Sequence, residues 1–134
     1  MNKYKGTYLE NLRCKVEHIE SGSIINTDAP KDNHGKGEMF SPTDLLAAAL
    51  GSCMVTIIAI RANTKKINLG AVDFEIEKVM QSSPRKVGEL KLTIKMNKTL
   101  SLKDREYLEK EGLNCPVALS LHPELKQQVS FEYI

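Results

Sequence analysis

A chain of 134 residues is long enough for one domain with a modest core and short for two. Its 41% hydrophobic and 27% charged residues are those of an ordinary globular protein, and a net charge of +2 is too small to argue for nucleic acid or an anionic membrane as partner. Aromatic residues make up only 5%, with no tryptophan, which argues against a stacking platform for bases. The N-terminal "MNKYKGTYLENLRCKVEH" has no apolar h-region, so no secretory signal is expected. The apolar run from Leu45 to Ile60 is shorter than the roughly 20 residues that cross a bilayer. The expected location is the cytoplasm, where thiols stay reduced. The three cysteines are then no disulfide framework, and any of them is a candidate reactive thiol.

The elements follow in chain order. "NLRCKVEHI" (residues 11–19) alternates, with Leu12, Cys14 and Val16 on one face and Arg13, Lys15 and Glu17 on the other, which predicts a half-buried strand. "ESGS" (20–23) is a turn, and "IINT" is the returning strand. "DAPKDNHGKGEMF" (28–40) is rich in Gly, Pro and Asp and reads as a loop. A helix then runs from Pro42 to about Asn63, with Pro42 at its first position and Ser41 and Asp44 as a capping box. It is apolar nearly all round, which predicts burial on every side, more than one small domain supplies, and so hints at a second subunit. "AVDFEIEKVM" places Val72, Phe74 and Ile76 on one face. "GELKLTIKM" does the same with Leu90, Leu92, Ile94 and Met96, and the two strands are expected to be antiparallel. A second capping box, Ser101 to Asp104, opens a helix that Gly112 is expected to end. "NCPVALSLHP" restarts helix at Pro116 and stops at Pro123, and Val129, Phe131 and Tyr133 alternate in a last strand. The layout is α+β, a single domain over residues 1–134.

Cys53 lies inside the long apolar helix, where packing is the ordinary reading of a cysteine. Cys115 precedes Pro116 at a predicted helix N-terminus, where unpaired N–H groups and the macrodipole favour a thiolate. Cys14 reads most simply as core. His18, His34 and His122 show no metal-ligand spacing with each other or with the cysteines, so no metal site is expected. His34 reads as a solvated loop residue and His122 as a helix-end cap.

Taken together, "SPTDLLAAALGSC" and the later "NCPVALSLHPE" resemble the OsmC/Ohr family of thiol-dependent hydroperoxide reductases, and the loop "TDAPKDNHGKGEMFSP" is similar to that of its OsmC-like branch. The resemblance runs from about Leu12 to the C-terminus. It implies an intertwined homodimer, bent antiparallel sheets around two central helices, with active sites at the subunit interface. It also implies that Cys53 is the peroxidatic thiol and Cys115 the resolving thiol. Attack of Cys53 on a hydroperoxide leaves a sulfenic acid, which Cys115 converts to a disulfide for an external dithiol to reduce. No bound cofactor is implied.

The family's activating charges are where this sequence departs. Ohr proteins carry a glutamate ten residues before the first cysteine, paired with an arginine from the N-terminal strands. Thr43 stands at that position here, with Asp44 beside it. Asp44 reads as the capping-box residue, and nine residues at about 100° each put it opposite Cys53 on the helix. Arg13 is the one arginine before the helix and so the candidate thiolate stabiliser. The expected function is reduction of hydroperoxides, organic ones first. The alternative from another class is a non-catalytic protein of this fold that binds a small ligand or senses redox state.

Overall fold

The computed structural model describes residues 2–134, and its chain forms two compact units, one ending at Leu46 and one running from Ala47 to Ile134. The first holds an antiparallel sheet of β1 (Tyr4–Tyr8), β2 (Arg13–His18) and β3 (Ile24–Asp28), in that order. Strand β1 has no counterpart in the sequence reading. All five of its residues are exposed, so no apolar alternation marks it. The β1–β2 turn is tight: Glu10, Asn11 and Leu12 all have positive φ, held by Leu9 N–H to the Arg13 carbonyl at 2.8 Å and Arg13 N–H to the Glu10 carbonyl at 3.1 Å. Cys14, expected in a core, is only half-buried. After β3 the chain makes a 3-10 turn at Lys31–Asn33 and folds back, so that Asp28 N–H donates to the Phe40 carbonyl at 3.1 Å. Gly35 allows this: a Cβ there would lie 1.7 Å from the Ala29 carbonyl oxygen, so no side chain fits.

Helix α1 (Pro42–Thr64) starts in the first unit and continues into the second. Its N-terminus is the predicted capping box: Ser41 N–H donates to Asp44 Oδ2 at 2.9 Å and Asp44 N–H to Ser41 Oγ at 3.0 Å. The helix is longer than its apolar run, and it is long and apolar enough to cross a membrane, a test that the core helix of a globular protein also passes. Burial is not all-round within one chain. Ala47, Leu50, Gly51, Met54, Ile58 and Ala62 form one buried stripe, while Ile60 is 47% exposed.

The second unit packs that stripe against a sheet of β4 (Asp73–Gln81), β5 (Lys86–Met96) and β6 (Lys126–Tyr133). A Cβ on Gly51 would meet Ile76 and Phe74 of β4 at 2.6 Å, so the missing side chain is what lets the helix lie this close. Leu90, Leu92, Ile94 and Met96 of β5 are all buried, as their alternation requires, and Lys91 and Lys95 alternate with them on the outer face. Strands β4 and β5 are antiparallel, but β6 joins β5 in parallel, so the sheet is mixed where the resemblance implied antiparallel pairing throughout. The reason is the crossover: α2 (Leu102–Leu113) and α3 (Pro116–Ser120) carry the chain back before β6 begins. Gly112 does not end α2, which runs on to Leu113. It is buried, and a Cβ there would stand 2.8 Å from Ile58 Cγ1 and 3.3 Å from Met54 Cγ. Its role is close packing of α2 on α1.

Candidate functional site

Cys53 and Cys115 both belong to the second unit. Cys53 is half-buried on α1, one residue from the buried stripe, and Cys115 is wholly buried at the head of α3. Pro116 starts that helix at a position where its missing N–H costs nothing. Cys115 is the N-cap, and its Sγ accepts a hydrogen bond from Ala118 N–H at 3.4 Å. The Cys53 thiol is near enough to act on it electrostatically. Both thiols are free. Proximity of two thiols 62 positions apart in sequence is what dithiol chemistry needs.

One electrostatic expectation is corrected. From the sequence, the helix N-terminus is expected to favour a Cys115 thiolate. Instead burial pushes the Cys115 thiol up, the bond from Ala118 N–H offsets that only in part, and the neighbouring Cys53 pushes it further. Helix α3 has five residues, too few for a sizeable macrodipole, and complete burial outweighs what it offers.

Arg13 lies in the first unit and is not short of carboxylates. Its Nε donates to Asp28 Oδ1 at 2.6 Å and its Nη2 to Asp28 Oδ2 at 2.9 Å, a bidentate pair, while Nη2 also reaches Glu38 Oε1 at 2.9 Å. The Asp28 side chain is 2% exposed, and its Oδ2 accepts two further bonds, from Glu38 N–H at 3.0 Å and Met39 N–H at 3.1 Å. Arg13 foremost, with these backbone donors, holds the Asp28 carboxyl below its usual range against the cost of burial. Two carboxylates for one guanidinium leave the group with a net negative charge. Sequence reasoning placed Asp28 and Glu38 in a featureless loop and missed both. One signal was available: extending the β2–β3 hairpin outward from its turn sets Arg13 opposite Asp28, an opposite-charge cross-strand pair.

The remaining candidates have structural places. Asp44 closes the capping box, and the Thr43 hydroxyl lies 3.2 Å from that of Ser41. His122 Nδ1 accepts Glu124 N–H at 3.0 Å in the turn before β6, His18 pairs with Ser21, and His34 is an exposed left-handed residue ending the 3-10 turn. Among the described residues no cluster of metal-ligating side chains occurs.

The model of the OsmC-like protein family matches residues 35–130, most of the chain. The chain belongs to the OsmC-like family. A solved Psychrobacter arcticus protein, named for osmotic stress induction and a detoxification response, is 45% identical over 98% of this chain and 96% of its own, with a TM-score of 0.92. A Legionella pneumophila structure named as an organic hydroperoxide resistance protein OsmC is 22% identical, covering 98% and 96%, with a TM-score of 0.76. An OsmC-like protein from Mycoplasma pneumoniae is 17% identical, covering 100% and 97%, at 0.83. These last two share the fold. No curated protein matches.

Proposed function

We propose that this OsmC-like protein is a thiol-dependent hydroperoxide reductase, working as a cytoplasmic homodimer through Cys53 and Cys115. The observation that carries the reading is the pair itself: two free cysteines, far apart in sequence, brought near each other inside one unit of a family whose structural neighbours include organic hydroperoxide resistance proteins. The Cys53 thiolate attacks the distal oxygen of R–O–OH. The O–O bond breaks, the alkoxide takes a proton and leaves as an alcohol, and Cys53 becomes a sulfenic acid. Cys115 sulfur then attacks the Cys53 sulfur. The S–S bond forms, the S–O bond breaks, and water leaves with the thiol's proton. An external dithiol reduces the disulfide and is itself oxidised.

Half-burial of Cys53 in an apolar helix suits an organic hydroperoxide better than a small hydrophilic one. Arg13 is the cation assigned to the thiolate on the strength of the resemblance. One observation favours the second reading, a ligand-binding or sensing protein without turnover: Arg13 already holds two carboxylates, so little of its charge remains for a thiolate.

The experiment is consumption of an alkyl hydroperoxide with dithiothreitol as reductant. Wild type turns over, and Cys53→Ser is inactive. Cys115→Ser gives one stoichiometric oxidation and a trapped sulfenic acid. Equal consumption by wild type and Cys53→Ser, or a disulfide mapped to Cys14, rules the mechanism out.

A further inference from the structure

The inner face of β6 breaks its own pattern. Val129 and Phe131 form an apolar row, and Gln127, at the start of that row, pairs with the fully buried Leu90 of β5. An apolar side chain is the ordinary choice at such a place. Gln127 is half-buried, and its Nε2 donates to the Ala118 carbonyl at 3.0 Å. That carbonyl is among the last four of α3, which a helix leaves without an internal partner. Ala118 also donates its N–H to Cys115 Sγ at 3.4 Å, so a single residue stands between Gln127 and the buried sulfur. Two further bonds of this turn are internal, Leu119 N–H to the Cys115 carbonyl at 3.1 Å and Ser120 Oγ to the Pro116 carbonyl at 2.8 Å. A helix of five residues is not sustained by such bonds alone. The bond from Gln127 fastens the turn to the sheet.

We propose that Gln127 is a positioning residue for Cys115: through the Ala118 carbonyl it holds the α3 turn closed, with the Cys115 sulfur out of solvent, and loss of that bond exposes the sulfur. All the residues involved belong to the second unit. The proposal rests on the reading of Cys115 as the resolving thiol. Oxidation of a thiol follows its exposure, so a wholly buried Cys115 is spared by dissolved oxidants while the half-buried Cys53 reacts first. Gln127 thereby keeps the second thiol in reserve for the second step.

The test is labelling of Cys115 in the folded protein by iodoacetamide, at one pH and without peroxide, read by peptide mass spectrometry. Gln127→Met fills the space with an apolar side chain and removes the donor. Gln128→Met makes the same change on the outward face of β6 and is the control. The net worth of one hydrogen bond corresponds to a shift of about 3- to 10-fold in an opening equilibrium. Cys115 labelling is therefore expected to be faster by about 3- to 10-fold in Gln127→Met, with Gln128→Met at the wild-type rate. The faster rate should not change with urea added below the unfolding transition, because a local opening exposes little surface. Equal rates in Gln127→Met and wild type, the same acceleration in Gln128→Met, or an acceleration that grows with urea overturns the proposal. If Gln127→Met does not fold, Gln127→Glu, which keeps the shape and at neutral pH has no proton to donate, takes its place. Faster local labelling in a protein that consumes no hydroperoxide leaves the hold on α3 standing and removes the resolving role. Turnover with unchanged labelling does the reverse.

Discussion

At the scale of single residues, the densest polar group is Arg13 with Asp28 and Glu38. Its two carboxylates are not equivalent. Asp28 is 2% exposed and takes four hydrogen bonds from Arg13 and the loop backbone, while Glu38 is 61% exposed and takes one from the guanidinium. Removing the charge of Asp28 leaves Arg13 half-buried without its main partner and two loop N–H groups on a weaker acceptor. Removing that of Glu38 leaves a solvated arginine edge. Asp28→Asn should therefore lower the melting temperature much more than Glu38→Gln. The pH dependence has a definite sign. The Asp28 carboxyl is depressed in the folded state, so its contribution is complete above the ordinary carboxylate value of about 3.9 and is lost as pH falls through the lower folded value. Thermal melts from pH 6 downward should show a steeper acid loss for wild type than for Asp28→Asn. Parallel curves would mean that this pair does not couple to folding. The same residues show what a sequence conceals. The capping roles of Ser41 and Asp44 were legible because their partners lie three positions apart. The partners of Arg13 lie 15 and 25 positions away, one at a strand end and one in a loop, where no short-range pattern marks them.

Among the elements, strand β5 was the most legible and strand β1 the least, for one physical reason. A buried face imposes alternation, as at Leu90, Leu92, Ile94 and Met96, and a fully exposed strand imposes none. Gly112 was misread because two roles share one residue type. Helix-ending glycines need a left-handed backbone, whereas Gly112 sits inside α2 with Ile58 and Met54 against its Cα. The two roles predict opposite effects of alanine. At an exposed helical site Gly→Ala stabilises by up to about 1 kcal/mol. Here the new Cβ would press on Ile58 at 2.8 Å, and overpacking costs about 1–3 kcal/mol. Gly112→Ala should be destabilising on balance by roughly 1 kcal/mol, read from urea unfolding at unchanged m-value. The same change should slow Cys53–Cys115 disulfide formation, because α2 leads directly into Cys115. A stabilised variant would return Gly112 to the role of a helix breaker.

At the scale of the whole molecule, the weight falls on α1. A helix that is apolar on all sides has no face suited to water, yet only 33% of its apolar window is buried within one chain. Its buried stripe is accounted for by β4 and α2. Ile60 on α1, Leu113 beyond the Gly112 contact and Leu119 on α3 are left 47%, 45% and 70% exposed, and these three belong to the unit that carries both thiols. Scattered apolar residues are normal on a surface, but a long helix with an uncovered apolar side calls for a cover. A second copy is the economical one, since it brings the same uncovered side and the contact is satisfied in both chains at once. An ordinary stable interface buries about 800 Å² from each partner, which several side chains of this size together with the open side of a 23-residue helix can supply. Sedimentation at micromolar concentration should therefore give a species of twice the 15.0 kDa chain mass. Ile60→Glu, which sets a charge on the open side without touching the buried stripe, should shift that species toward monomer. The variant also separates assembly from chemistry. If the second chain shelters Cys53, peroxide consumption falls as dimer is lost and recovers with protein concentration. A well-folded wild-type monomer that still consumes peroxide would place all the chemistry within one chain and leave the apolar side of α1 with another cover to find.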